Sequence, residues 1–277
     1  MQDRLAARGR AVALAYGERT ALAPSDFEVP AGKLTAIIGP NGSGKSTLLN
    51  ALAGLMDPIS GTLEVLGRGS RRPRRRVAYV LQAAKVNEMM PVTVWEVVGM
   101  GRYSRLGAFR RFRAADRGAV DEALDTVGIG DLADRHLAGL SAGQRQRVFV
   151  AQGLAQDADL LLLDEPLTGL DLVSRGLIGE AVGAELAAGG TVVVTTHDLV
   201  EATAADHVLL LAGRVVAEGP AAGVLTPGRL SEAYGVGVVH LEDGTVVLDD
   251  SHHRGLGRHI HFERIGLSRE KDGGQGR

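Results

Sequence analysis

Between two apolar runs, Leu34 to Ile38 and Thr47 to Leu55, the chain reads Gly39-Pro40-Asn41-Gly42-Ser43-Gly44-Lys45-Ser46-Thr47. This fits G-x-x-x-x-G-K-[ST], the Walker A or phosphate-binding loop, and the flanking runs predict the strand and helix that such a loop joins. Strand, loop and helix must follow in that order, so this stretch constrains the fold more than any other. Glycines at 39, 42 and 44 let successive N–H groups turn inward toward phosphate oxygens, where a Cβ would forbid it. Lys45 supplies a point charge for the outer phosphates and Ser46 a hydroxyl for Mg²⁺. A helix beginning near Ser46 aims its positive end at the same place. Alone, the motif favours nucleotide binding over a structural glycine turn.

With 277 residues, the chain has room for one large α/β domain, or one domain with a small appendage. Apolar content of 45% and a net charge of −2 describe an ordinary globular protein, without the basic excess that nucleic acid would call for. Cysteine is absent, which excludes a disulfide framework and a thiolate metal site and permits a reducing compartment. Met1 to Arg10 lacks the apolar core of a secretory signal. No window approaches the ~18 consecutive apolar residues of a membrane helix, so at a membrane another chain would supply the spanning part.

Taken in order, Val12 to Tyr16 predicts a short strand and Gly17-Glu18-Arg19 a turn. By itself Tyr16 reads as a strand-end core residue more readily than as a stacking platform for adenine. Leu22 to Val29 is a second apolar run, Gly54 with Asp57-Pro58 stops the first helix, and Thr62 to Leu66 predicts a strand. Arg71 to Arg76, with Pro73 inside it, reads as a solvated loop before the strand Val77 to Leu81, in preference to a nucleic-acid or acidic-lipid contact. Gln82 ends that strand, as a metal ligand or a plain cap. From about 83 to 155 helical signals dominate: Val92 to Met100 after Pro91, then Ala114 to Val127 with apolar residues at helical spacing. Ser141 is an N-cap for a helix through about Gln156. Leu160 to Leu163 must be a strand buried on both faces, with Asp164 and Glu165 at its C-terminal end, where ligands lie in doubly wound sheets. A helix from about Val173 to Ala188, a strand Thr191 to Thr196 followed by His197, and a hairpin of Val208 to Leu211 with Arg214 to Ala217 complete the pattern.

A phosphate loop, a glutamine at a strand end, an Asp-Glu pair after an apolar strand, a histidine after the next strand, and Leu140-Ser141-Ala142-Gly143-Gln144 together resemble the ATP-binding cassette (ABC) ATPases. The resemblance covers about residues 10 to 228. It implies an α/β, ABC-type P-loop NTPase core with an antiparallel β subdomain and a helical signature subdomain, and ATP and Mg²⁺ as cofactors. Tyr16 then resembles the adenine-stacking aromatic, which reverses the core reading. Gln82 is similar to the Q-loop glutamine at Mg²⁺, residues 140–144 to the LSGGQ signature, Asp164 and Glu165 to the Walker B pair, Thr168 to Asp171 to the D-loop, and His197 to the switch histidine. ATP contacts are thereby expected from Tyr16, Gly39, Asn41, Gly42, Ser43, Gly44, Lys45, Ser46, Thr47, Gln82, Ser141, Gly143, Gln144, Asp171 and His197. Mg²⁺ contacts are expected from Ser46, Gln82 and Asp164, and catalysis from Glu165, His197 and Lys45. Ala142 stands where glycine is commoner, which is tolerable if its φ is negative.

The resemblance further implies a head-to-tail homodimer in which each signature closes over the other copy's ATP. The partners it implies are integral-membrane permease subunits and, indirectly, an extracytoplasmic metal-binding protein, with the chain peripheral on the cytoplasmic face of the membrane and no nucleic acid. Pro91-Val92-Thr93-Val94, Met100 to Gly107, Asp116-Arg117 and Glu165 to Asp171 are close to zinc and manganese uptake ATPases. Asn87-Glu88 and Val148 to Gly153 look like the actinobacterial-type zinc branch. The alternatives are a siderophore, haem or cobalamin importer ATPase, a soluble ABC ATPase such as an iron–sulfur assembly factor, and an ATP-gated interaction module. Residues 1–228 are expected to form the ATPase domain and 229–277 an extension with a small hairpin and a polar tail. In that tail His252, His253, His259 and His261 fit incidental surface histidines better than a zinc site, because no spacing fixes four ligands.

Overall fold

Two strands open the chain, β1 (Leu5–Tyr16) and β2 (Arg19–Pro30), each longer than its apolar run predicts. The structure, a computed structural model, describes residues 4–69, 76–81, 91–106, 111–235, 237–240 and 246–249. β1 runs through Gly9, where a Cβ would lie 2.3 Å from the Phe27 ring. Ala11, at φ 47°, makes a bulge that shifts the register between Gly9 and Val12. A glycine and a bulge both interrupt period-2 alternation, so hydropathy alone does not reveal the full strand. β1 also pairs antiparallel with β4 (Ser60–Val65), which pairs with β5 (Arg68–Gly69), giving the order β2-β1-β4-β5.

The second sheet is parallel except at one edge. Its order is β10-β9-β3-β8-β7-β6, built from β3 (Leu34–Ile38), β6 (Val77–Val80), β7 (Leu160–Asp164), β8 (Thr191–Thr195), β9 (His207–Leu211) and the antiparallel β10 (Val215–Gly219). Every residue of β7 is buried. Leu161 and Leu163 face one core and Leu160 and Leu162 another, which is why the run has no polar alternation. The second of those cores also holds Leu48, Leu49 and Leu52 of α1 (Lys45–Ala53) and Phe27 and Val29 of β2, so the phosphate-loop helix is clamped between the two sheets.

The helical unit consists of α2 (Val94–Met100), α3 (Tyr103–Leu106), α4 (Ala114–Thr126) and α5 (Ala142–Ala155). α2 starts two residues later than its apolar run predicts, because Thr93 caps it. The Thr93 hydroxyl accepts from Glu96 N (3.2 Å), and the Glu96 carboxylate accepts from Thr93 N (2.8 Å). Val94, Val97 and Val98 pack with Val120, Ala123 and Leu124 of α4 and Val148 and Phe149 of α5. Such side chains contribute about 1.5–3 kcal/mol each when fully buried. α6 (Leu172–Ala187) and α7 (Leu199–Thr203) follow β7 and β8.

α8 (Ala221–Val224) and α9 (Pro227–Tyr234) cover the β9 side of the sheet, and residue 228 lies in the first turn of α9. Leu230 and Ala233 of α9 are buried with Ala36, Ile38 and Leu210. β11 (Gly237–His240) and β12 (Val246–Asp249) pair antiparallel. No helix among the described residues is long and apolar enough to cross a membrane. Arg71 to Arg75, Gln82, Asn87, Glu88 and the four tail histidines lie outside the described residues.

Candidate nucleotide site

Strand register assembles the site. Ile37 of β3 is registered with Thr195 of β8, and Thr195 with Asp164 of β7. The residues that follow those three strands, the loop from Gly39, His197, and Glu165, therefore leave the sheet side by side at its C-terminal edge, where open α/β sheets bind ligands.

Gly39 has φ 152°, and a Cβ there would lie 2.0 Å from Leu211 O; at Gly44, with φ 102°, it would lie 2.7 Å from Ala21 O. Backbone thus occupies the room a side chain would need, and the loop is held against β2 and β9. α1 begins at Lys45, one residue earlier than expected, and no side chain caps it at Gly44. Its first-turn N–H groups are open to an anion. Lys45 is 7% exposed, and its ammonium donates to Gly39 O (2.8 Å) and Pro40 O (3.1 Å). Burial pushes its pKa down, while the Glu165 and then the Asp164 carboxylates pull it back up. The Ser43 hydroxyl, beside Gly39, is buried with no hydrogen-bond partner. Tyr234 of α9 reaches the root of the loop: burial pushes its phenol up and the Gly39 backbone draws it down.

Asp164 is 2% exposed and is surrounded by hydroxyls. Its Oδ1 accepts from Ser46 (3.1 Å) and Thr195 (2.8 Å). The Tyr79 side chain of β6 also hydrogen-bonds to Asp164, and burial, then the Asp164 charge, push that phenol up. Thr195 Oγ1 in turn accepts from Glu165 N (2.8 Å), so one hydroxyl fixes both carboxylate residues. Glu165 stands at φ 48°, a left-handed conformation rare for a residue with a Cβ, and its Oε2 accepts from Thr168 (3.3 Å). His197 is exposed just beyond β8.

Tyr16 is 52% exposed, which removes the core reading, and its hydroxyl accepts from Asn50 Nδ2 (3.1 Å) on α1. Asn41 and Gly42 are exposed at the loop tip, and Thr47 is buried in α1. Ser141, Gly143 and Gln144 gather in a second cluster with Asp171. Ser141 Oγ accepts from Gln144 N (3.2 Å), and Gln144 Oε1 accepts from Ser141 N (2.9 Å), which leaves the Ser141 hydroxyl hydrogen and the Gln144 amide N–H groups available to a ligand. Ala142 is the first helical residue of α5 and is not among the residues with positive φ, so its methyl is unstrained. A Cβ on Gly143 would lie 2.4 Å from Ser174 Oγ and 2.8 Å from Asp171 Oδ2. Asp171 caps α6 by accepting from Ser174 N (2.8 Å), and that bond holds its carboxyl below the usual range.

Sequence reasoning does not single out Thr195, Tyr79, Asn50 or Ser174. For Thr195 a signal exists: its hydroxyl follows three valines in Thr-Val-Val-Val-Thr, opposite Asp164. Tyr79 is hidden inside a strand whose other residues are apolar. The donor set fits a nucleotide with a hard cation. The glycine cradle is one a Cβ would fill, the Ser43 hydroxyl is an orphan beside it, and Ser46 and Asp164 present paired oxygens of the kind Mg²⁺ prefers.

Comparison with known proteins agrees with this geometry. The ABC transporter family profile matches residues 22–168. The zinc transport system ATP-binding protein TroB of Treponema pallidum is 44% identical over 223 residues, 80% of this chain and 84% of that one. The manganese transport system ATP-binding protein MntB of Bacillus subtilis is 40% identical over 235 residues, 84% and 93% of the two chains. Among solved structures, a metal-chelate type ABC transporter in an inward-facing conformation aligns with a TM-score of 0.76 at 27% identity, over 90% of this chain and 99% of that one. A dimeric ATP-binding cassette in a post-hydrolysis state with ADP and Pi aligns with a TM-score of 0.69 at 27% identity, over 78% and 98%. The fold, the phosphate loop with its facing carboxylates, and these likenesses place the chain in the ABC transporter family, among its ATP-binding cassettes.

Proposed function

We propose that the chain is the ATP-hydrolysing subunit of an ABC importer for a divalent metal ion, zinc or manganese. The observation that carries the choice of cargo is identity of 44% and 40%, over most of each chain, to proteins named for zinc and manganese transport. Those names weigh against the siderophore, cobalamin and iron–sulfur alternatives.

The placements of the described residues support that reading. Gly39, Asn41, Gly42, Ser43, Gly44, Lys45 and Thr47 wrap the phosphates, and Tyr16 stacks on adenine at the open end of β1. Ser46, Asp164 and Gln82 would hold Mg²⁺, which when bound neutralises charge on the β- and γ-phosphoryl oxygens. Lys45, already desolvated, concentrates positive charge where the transition state spreads negative charge. Glu165 orients the attacking water and takes its proton, and His197 contacts the γ-phosphoryl group. Ser141, Gly143, Gln144 and Asp171 act on the nucleotide of a second copy, so two ATP molecules close a head-to-tail homodimer. Opening after hydrolysis would drive permease subunits through the helical unit, with the chain on the cytoplasmic face and a metal-binding protein delivering cargo outside.

Glu165→Gln tests the catalytic assignment. It keeps ATP binding, read with a fluorescent nucleotide, and loses turnover by roughly 10²-fold or more. Unchanged turnover would overturn it.

A further inference from the structure

The loops that carry Glu165 and His197 are joined by one guanidinium. Arg175, in the first turn of α6, donates from Nε to Leu167 O (3.3 Å), two residues beyond Glu165. Its Nη2 donates to Glu201 Oε1 (2.8 Å) on α7. The other Glu201 oxygen accepts from the Thr196 hydroxyl (2.5 Å), and Thr196 Oγ1 accepts from Asp198 N (3.0 Å). The residues on both sides of His197 are therefore held by Glu201, while Asp198 also caps α7 at Val200 N (2.8 Å) and lies 3.9 Å from Arg175. Thr196 is 3% exposed, so its bond to Glu201 is shielded from water.

We infer that Arg175 is a positioning residue that sets the separation of Glu165 from His197 by clamping the Leu167 carbonyl to Glu201. The inference rests on the roles given above to those two side chains. Glu165 leaves β7 at φ 48° and His197 lies in the bend between β8 and α7, so neither is placed by regular secondary structure alone. A water held between them tolerates little displacement, since a shift of about 1 Å can cost about 10²-fold in rate. A guanidinium suits this task because its planar fork serves a carbonyl and a carboxylate at fixed angles, which an ammonium cannot.

The test is a cycle of purified full-length variants, with kcat, KM for ATP and thermal melting read on each. Arg175→Ala is expected to lower kcat by roughly 10- to 100-fold with KM within about twofold. Arg175→Lys recovers part of the loss, and Glu201→Gln, which retains the Thr196 bond, reproduces most of it. In a His197→Ala background Arg175→Ala costs nothing more, a masking that a purely structural role would not give. Wild-type kcat in folded Arg175→Ala, full additivity with His197→Ala, or losses that track melting would each overturn the inference. Glu165→Gln is run alongside: if it still turns over, the catalytic reading fails, whereas a silent Glu165→Gln with an active Arg175→Ala removes only the clamp.

Discussion

Thr195 is fully buried and its hydroxyl has two duties, donating to Asp164 and accepting from Glu165 N. Thr195→Val keeps the shape and removes both bonds, leaving a buried carboxylate and a strained residue's N–H short of a partner. We expect a loss of about 1–3 kcal/mol in urea unfolding, together with a lower kcat. His207 provides a pH-dependent counterpart at the junction of the two sheets. Its Nε2 lies 4.0 Å from Glu218 Oε2; burial pushes the imidazole down, partly offset by Glu28, and burial likewise pushes Glu218 up. A folded pKa below the unfolded value means that the unfolded chain binds more protons, so this contribution is present above about pH 6.5 and is lost as pH falls through the folded value. Melting temperatures of wild type and His207→Gln should therefore diverge below about pH 6.5, with the wild type falling faster. Parallel curves would contradict the assignment. Residues of the two kinds differ in legibility. Lys45, Asp164 and Glu165 stand in motifs, whereas Thr195 and His207 owe their roles to neighbours supplied by other strands.

At the scale of elements, two helices begin with reciprocal caps, Thr93 with Glu96 on α2 and Ser141 with Gln144 on α5. Each cap to alanine should cost about 1 kcal/mol of stability. Only Ser141→Ala should also depress ATP turnover at saturating nucleotide, because only that cap belongs to the signature segment. Equal turnover in the two variants would separate the signature from catalysis. The Ser141 cap is legible in the sequence, and so is β7, because a four-leucine run between two cores admits no other reading. The lengths of β1 and β2 are not legible. Gly9 and the Ala11 bulge belong to a sheet whose pairing is settled by Phe27 and by β4, far along the chain. The Thr93 cap is not read there: Val92 extends the apolar run by two residues, and hydropathy alone gives no reason to stop at Thr93.

For the whole molecule, the order of strands β9-β3-β8-β7 brings together residues between 39 and 197 that no local pattern connects. The motifs gave the edge its chemistry, and the register gave it a shape. Helix α9 packs beside the strand that feeds the phosphate loop, with Tyr234 near Gly39, a contact outside any motif in the sequence. ATP hydrolysis by this chain is expected to drive metal import. The direct test is uptake of zinc, manganese and an iron siderophore by metal-depleted cells lacking the gene, restored with wild-type or Glu165→Gln protein. Loss of zinc or manganese uptake, rescued by the wild type and not by Glu165→Gln, is the result predicted. Loss of siderophore uptake alone, or no uptake defect, would contradict it.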